Sequence, residues 1–228
     1  MFSSRFLTPS KPLPELDAVG AFGNAVNFNF AITIGANAKA LVVPVSGWCF
    51  ISAIGFTVKV GATEGSATTL TQQLNVNTYG VSSYAYSIGL YTLLNPPTGS
   101  MNVYVSTGPG GYVQRASAGA VTYKNVTSFG TAQWTNGASS SASHTVTSGS
   151  GGQLIFQAFT CTSSSATAQS ASISSYNQTS RATQTGVAND VMPWVLGDAL
   201  GSSSVSFTAT APSSGLGNWG SVAIPLIP

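Results

Sequence analysis

The sequence has very few charged residues. Of its 228 residues, seven are Lys or Arg and five are Asp or Glu, so charged residues make up 5% of the chain, against about a quarter of an average soluble domain. Hydrophobic residues keep an ordinary share of 43%, and Ser, Thr, Gly, Ala and Asn replace the missing charges. A net charge of +2 is too small to follow a phosphate backbone, which excludes a nucleic-acid-binding protein. The composition also excludes charge-driven disorder and Glu/Lys-rich coiled coils.

The sequence also lacks a signal peptide and a membrane-spanning segment. Near the N-terminus, Pro9, Lys11, Pro12, Pro14 and Glu15 interrupt any apolar core of the length that a signal peptide needs. No stretch approaches the roughly 20 apolar residues of a transmembrane helix. We therefore expect synthesis in a cytoplasm, without export by the general secretory route.

Cysteine is scarce as well, because Cys49 and Cys161 are too few for a disulfide framework. Each closes an apolar run, which predicts two buried, small hydrophobic side chains. A bridge between the two is the alternative. Neither has a basic or histidine neighbour in the sequence that would lower its thiol pKa, so a reactive cysteine is not expected.

Residues that could perform catalysis are few. The single histidine, His144, lies in a Ser/Thr-rich segment without a nucleophile elbow, so we expect a surface or strand histidine. A carboxylate pair such as Asp190 and Asp198 could in principle hydrolyse a glycoside, but both are predicted to lie in a loop or turn. No metalloprotease, CxxC, Walker, dinucleotide-binding or calcium-loop motif is present. The sequence predicts a protein that is not an enzyme and that uses no cofactor or metal.

The strongest positive pattern is the alternation of apolar and polar residues, beginning at Val26–Ile34. Further strands are predicted at Leu41–Ser46, Ile54–Val60, Gln73–Asn77, Tyr84–Leu93, Met101–Ser106, Ala120–Val126, Ser143–Thr147, Leu154–Thr160, Ala171–Ser174, Trp194–Leu196, Val205–Thr210 and Trp219–Leu226. Gly/Pro-rich turns separate them, and capped helical patterns are absent. The sequence predicts an all-β fold: an antiparallel β-sandwich of the jelly-roll or immunoglobulin-like type.

Residues 1–20 differ from the rest and predict an extended docking arm, because proline disfavours helix there. In this hypothesis the arm anchors in a neighbouring subunit through Phe2, Phe6, Leu7, Leu13 and Leu16, with Arg5 and Lys11 setting the register. Residues 21–228 would form one β-sandwich domain.

A faint internal repeat predicts that this domain has two related halves, about 21–125 and 126–228. The run NFNFAITIGANAKALVVPVSGWC resembles SASHTVTSGSGGQLIFQAFTC, and MNVYVSTGPGGYVQRASAGAVTY resembles VSFTATAPSSGLGNWGSVAIPL. Biased composition is the alternative explanation for this similarity. The polar strand positions are mostly Ser, Thr and Asn, which keep a face wet without charge and leave little repulsion between copies.

Tyrosines cluster between residues 79 and 112 among Ser, Gly and Asn, a composition typical of adaptable recognition surfaces. The candidates for surface or glycan recognition are Tyr79, Tyr84, Tyr86, Tyr91 and Tyr112. The alternative is that these rings pack against neighbouring strands in a core or an interface.

The C-terminal stretch GSSSVSFTATAPSSGLGNWGSVAIPLIP forms a distinctive closing hairpin pattern. Together with DAVGAFG at Asp17–Gly23 and the block SSSASHTVTSGSGGQLIF, it resembles minor tail proteins, small virion proteins of phages that infect mycobacteria and related actinobacteria. The resemblance covers most of residues 17–228 and is one of pattern and composition. It implies a β-sandwich structural subunit of the particle, at the tail tip or as an appendage, with host-surface contact, and it transfers no catalytic residue.

The leading hypothesis is therefore a non-enzymatic virion subunit that assembles with copies of itself, as a trimer or larger ring, and with neighbouring virion proteins. A decoration protein on the phage head is the first alternative, since such proteins also combine a small β-sandwich with an N-terminal arm. A module that binds host-envelope glycans is the second. A hydrolase built on Asp190, Asp198 or His144 is the least favoured.

Overall fold

The computed structural model describes residues 11–50, 54–79, 84–108, 112–147, 149–163, 172–187, 192–212 and 216–228. Within these ranges the chain forms antiparallel β-sheets, and the predicted all-β sandwich is confirmed. A 3-10 turn at Glu64–Ser66 is the only helical element in the described part of the chain. No helix in that part is long and apolar enough to span a membrane.

Two runs of strands follow one another along the chain. The first run is β1 (Glu15–Val19), β2 (Gly23–Ala25), β3 (Phe28–Ile34), β4 (Ala40–Phe50), β5 (Phe56–Gly61), β6 (Thr68–Thr69), β7 (Thr71–Tyr79), β8 (Tyr84–Leu94), β9 (Gly99–Thr107), β10 (Tyr112–Ala118) and β11 (Val121–Lys124). The second is β12 (Ser128–Phe129), β13 (Gln133–Gly137), β14 (Ser141–Val146), β15 (Leu154–Ser163), β16 (Thr179–Gln184), β17 (Trp194–Leu200), β18 (Val205–Thr210) and β19 (Leu216–Ile227).

The first run forms two sheets. In sheet A, β4 pairs with β8 along one edge and with both β10 and β11 along the other; β7 extends the sheet beyond β8, and β2 and β1 extend it beyond β10 and β11. Sheet B has the order β3-β9-β5-β6. Three pairs of strands follow each other closely along the chain: β1 and β2, β6 and β7, and β10 and β11. If each of these pairs is counted as one strand, the two sheets form an eight-stranded jelly roll. We call it the first roll.

The second run repeats this topology. In sheet C, β15 lies between β17 and β19, β16 extends the sheet beyond β17, and β12 and β13 pair with β19. Sheet D consists of β14 and β18, and a bridge from Ser174 to Thr210 occupies the place that β5 has in sheet B. We call this unit the second roll. The segments that resemble one another in sequence therefore occupy the same places in two successive jelly rolls.

The four sheets stack in the order B, A, C, D. Side chains of sheets A and B form one core, which includes Phe30, Val45 and Val103, and a second core with Phe159 and Phe207 fills the space between sheets C and D. Between sheets A and C lies a third apolar cluster, which we call the central layer. It contains, among others, Val42, Tyr86, Ile88, Leu90, Tyr123, Phe156, Trp194, Leu196, Val222 and Ile224. Sheets A and C are thus apolar on both faces, unlike sheets B and D.

Strands at the margins of the sheets depart most from the sequence prediction. Periodicity does not predict seven short or polar strands, which carry few alternating apolar residues: β1, β2, β6, β10, β12, β13 and β16. Among the described residues of the predicted strand Ala171–Ser174, only Ser174 makes a β-bridge. Six of the seven strands pair with one neighbour only, and such edge strands need no continuous apolar face. The exception is β10, which pairs with both β2 and β4.

Candidate functional site

The first described residues of the predicted arm belong to the chain's own fold. Strand β1 pairs with β11, and a bulge at Asp17 directs its carboxylate to the Gly35 backbone N–H and the Thr122 hydroxyl, both at 2.9 Å. A Cβ atom at Gly35 would lie 2.2 Å from Asp17 Oδ1, so this contact requires glycine. The sheet therefore begins at Glu15, and the prediction of an arm extending to residue 20 is wrong for β1.

The predicted anchor residues separate into three groups. Phe2, Arg5, Phe6 and Leu7 lie outside the described residues. Lys11 and Leu13 are exposed, and Leu13 has 47% of its surface open to solvent. Leu16 packs against the central layer of its own chain, so its predicted contact with a neighbour is wrong. The described residues leave Lys11 and Leu13 as accessible candidates.

The predicted tyrosine surface is not formed by Tyr86 and Tyr91. Strand β8 lies within sheet A, and the two rings point to opposite faces and are 1% and 2% exposed. Tyr91 donates a hydrogen bond to the Phe56 carbonyl oxygen at 3.0 Å. For these two residues the structure shows the packing alternative. Tyr79, Tyr84 and Tyr112 lie in strands, and their side chains are outside the described part of the structure.

His144 lies in a buried polar cluster between sheets C and D. Its Nδ1 atom is 2.8 Å from Ser221 Oγ, which also accepts a hydrogen bond from Gln157 Nε2 at 2.7 Å. His144 is 2% exposed and Ser221 is fully buried. Within the described residues, His144 Nε2 and Gln157 Oε1 have no hydrogen-bond partner. A catalytic Ser-His pair needs a path for substrate and an acid that orients the imidazole, and this cluster has neither.

Burial lowers the pKa of His144 to about 4, below the ordinary value of about 6.5. Between these values the unfolded chain binds a proton that the folded chain does not. The contribution of His144 to the free energy of unfolding is therefore fully present above about pH 6.5. As the pH falls from 6.5 to 4, we expect the free energy of unfolding to decrease by about 3 kcal/mol. Denaturant unfolding at several pH values, compared between wild type and His144→Asn, measures this loss. The other titrating groups are common to both proteins, so an identical pH dependence in the two would contradict the assignment.

Asp198 forms an ion pair rather than a catalytic pair. It lies in β17, so its predicted position in a turn is wrong. Its carboxylate accepts two hydrogen bonds from Arg181, at 2.7 and 2.8 Å, and one from the Tyr123 hydroxyl at 2.9 Å. This cluster joins the second roll to the first across the central layer. Asp190 lies outside the described residues.

Cys161 is a free, buried thiol, as the leading prediction has it. Burial raises its pKa to about 12, so the thiol stays protonated and unreactive near neutral pH. The side chain of Cys49 is not among those described. Within the described residues, no group of three or more His, Cys, Asp or Glu side chains could hold a metal ion.

Two of the open grooves formed by the described residues involve the first roll. One, of about 560 Å³, lies where the described chain begins and ends. Lys11, Lys39 and Lys124 line it, but Lys11 donates to the Pro228 carbonyl oxygen at 3.0 Å and Lys124 lies 3.8 Å from Glu15. Two of the three cations therefore have partners within the chain: Lys11 connects the first described residue to the last one, and Lys124 connects β11 to β1.

The other groove, of about 390 Å³, lies on the outer face of sheet B, and we call it the Tyr104 groove. It is lined chiefly by Asn27, Asn29, Glu64, Tyr104, Ser106 and Thr107. These residues come from three separate stretches of the sequence, so no local motif indicates the groove. The available signal was the alternation in β9, which places Tyr104 on the polar face with Asn102 and Ser106.

Comparison with known proteins assigns no family. No family model matches the chain, and no curated protein matches it. Among solved structures, the chain is similar to part of a structure of infectious bursal disease virus, Gx strain, with 10% sequence identity and a TM-score of 0.27. The match covers 94% of this chain and 41% of that chain, so this chain spans less than half the length of its structural neighbour. A TM-score of 0.27 is too low to establish a shared fold.

Proposed function

We propose that the chain is a non-enzymatic structural subunit of a phage virion, at the tail tip or as a tail appendage. The observation that carries the proposal is the outer face of sheet D. Every outward-facing side chain of its two strands is an exposed Ser or Thr: Ser141, Ser143, Thr145, Ser206, Thr208 and Thr210. Such a face is polar enough to stay in water and carries no charge to repel a neighbour.

The stacked rolls support the same proposal. The central layer joins two jelly rolls into a four-sheet body, and sheet D presents its uncharged outer face at the surface of that body. Its histidine and its described cysteine are buried, and Asp198 is held in an ion pair. Proteins that assemble into particles need surfaces that pack, and this chain has few accessible groups for acid–base chemistry.

Particle fractionation tests the proposal. Virions are disrupted, heads and tails are separated on a gradient, and the chain is quantified in each fraction by mass spectrometry. We expect it to follow the tails. Recovery with heads would support the decoration protein instead, and absence from purified particles would refute a virion role of either kind.

The arm hypothesis has a sharper test now that β1 is known to belong to the sheet. Deletion of residues 1–16 would remove part of β1, so the truncation should end at residue 10. We expect this variant to unfold at the same denaturant concentration as the full chain, because no described strand is touched, and to be lost from particles. The matched control is Leu200→Ala, which alters an exposed leucine outside the arm and should leave incorporation unchanged. Incorporation of the truncated chain at the full-length level would exclude an arm.

A further inference from the structure

The Tyr104 groove has the composition of a ligand site rather than of an ordinary strand face. On β9, Tyr104 lies directly between Asn29 of β3 and Lys59 of β5. Its hydroxyl donates to the Ala62 carbonyl oxygen at 3.4 Å, so the ring is tethered across β5 toward the turn that carries Glu64. The ring is only half-buried. An aromatic ring held in this way offers a face to a flat apolar partner.

Polar groups surround the ring at fixed positions. The Asn27 side-chain oxygen accepts a hydrogen bond from the Thr107 backbone N–H at 3.0 Å, which orients its amide nitrogen as a donor. Asn29 is exposed beside Tyr104, and the hydroxyls of Ser106 and Thr107 line the same groove. Amide donors, hydroxyls and a carboxylate around one aromatic ring suit a ligand with many hydroxyl groups and one apolar face.

The groove and its immediate surroundings carry one charge of each sign. Glu64 lines the groove, and Lys59, the cross-strand neighbour of Tyr104 on β5, lies on the same face of sheet B. The carboxylate accepts hydrogen bonds from hydroxyl groups, and the ammonium group donates to their oxygen atoms. Because the two charges oppose each other, the groove has no net charge that would favour an anionic or a cationic ligand.

The described strands of sheet D lack the same features, although the second roll repeats the topology of the first. The outer face of sheet D carries Ser and Thr only, without an aromatic ring or a carboxylate. The groove is therefore not a by-product of jelly-roll geometry but a property of the residues on sheet B.

We infer that the Tyr104 groove binds an uncharged sugar, with the pyranose ring stacked on Tyr104 and its hydroxyls bonded to Asn27, Asn29 and Glu64. The site is independent of where the chain sits in a particle. Tyr104 lies within the tyrosine-rich stretch 79–112 but is not one of the five candidates named there.

Titration of the ¹⁵N-labelled full chain with maltose, cellobiose and lactose, followed by backbone amide NMR shifts, tests this inference. We expect millimolar binding of at least one of them, with shifts concentrated at Asn29, Tyr104 and Thr107, and no shift with glucuronic acid. Tyr104→Ala should weaken binding roughly tenfold or more, because stacking is lost. Tyr104→Phe keeps the ring and should bind within about threefold of wild type.

Two further measurements define the outcome. Glu64→Gln should admit glucuronic acid, while Thr208→Ala on sheet D should leave every titration unchanged. No shift at about 50 mM of any of the three sugars, or equal binding by Tyr104→Ala with an otherwise unchanged spectrum, would overturn the inference. Neither result bears on particle fractionation, so failure here leaves the virion proposal standing.

Discussion

Replacing Arg181 with alanine is expected to destabilise the protein by about 3–5 kcal/mol. The Asp198 carboxylate is 2% exposed and Arg181 is 25% exposed, so removal of the guanidinium leaves a buried carboxylate whose one remaining partner among the described side chains is the Tyr123 hydroxyl. The bidentate hydrogen bonds to Asp198 also raise the pKa of Arg181, so the guanidinium is charged under all ordinary conditions. Equilibrium denaturation with guanidinium chloride or urea measures the effect.

A second variant separates the ion pair from simple loss of packing. Asp198→Asn leaves a partly exposed arginine that can turn to solvent, so it should cost less than Arg181→Ala. Combining the two removes the uncompensated charge, and the double variant should be more stable than Arg181→Ala alone. Lys39→Ala removes an exposed cation and should change stability by less than about 0.5 kcal/mol. A double variant that is less stable than Arg181→Ala would contradict this account.

Trp194→Ala is expected to cost about 3–5 kcal/mol, as for other large aromatic side chains removed from a core. Trp194 belongs to the second roll, but its indole N–H donates to the Ser117 hydroxyl of β10 in the first roll at 3.0 Å. It is 1% exposed and lies in the central layer. The substitution therefore opens a cavity between the rolls and leaves Ser117 without this donor. Both effects should lower the midpoint of thermal or chemical unfolding, which is the quantity to measure.

Matched tryptophan variants make this prediction specific. Trp134 on β13 is 44% exposed, so Trp134→Ala should cost less than about 0.5 kcal/mol. Trp194→Phe fills most of the space and loses the hydrogen bond, for about 1–2 kcal/mol. Because the central layer joins the rolls, the wild-type protein should unfold in one transition. Trp194→Ala weakens this layer, so in this variant we expect the two rolls to unfold in separate transitions. Equal effects of the two alanine substitutions would show that the central layer adds little stability.

The sequence predicts the central strands of the inner sheets, such as β4 and β15, well because they have long apolar runs. Strand β4 is apolar on both faces, and β3 alternates strictly, so their type follows directly from composition and period. Strands such as β16 were missed because their position depends on pairing with a neighbour that local sequence does not reveal.

The candidate site was harder to predict for a related reason. The Ser and Gly residues around Tyr86 and Tyr91 indicate a surface position for these two tyrosines. Strand β8, however, lies in a sheet that is covered on both faces. Only the stacking of sheet C on sheet A shows this, and stacking is a long-range property. Tyr104 lies on the outer face of an outer sheet, and its partners Asn27 and Glu64 are far from it in sequence.

The central layer has a consequence for how the protein is made. All strands of the first roll are complete at Lys124, while the sheet that covers its second apolar face comes from residues 128–227. At about 5–20 residues per second, ribosomes need roughly 5–20 s to synthesise that remainder. During this interval a nascent first roll would expose Val42, Ile88 and Leu90 to solvent. We expect it to be a chaperone substrate until sheet C covers it, and the second roll thus protects the first from aggregation during translation.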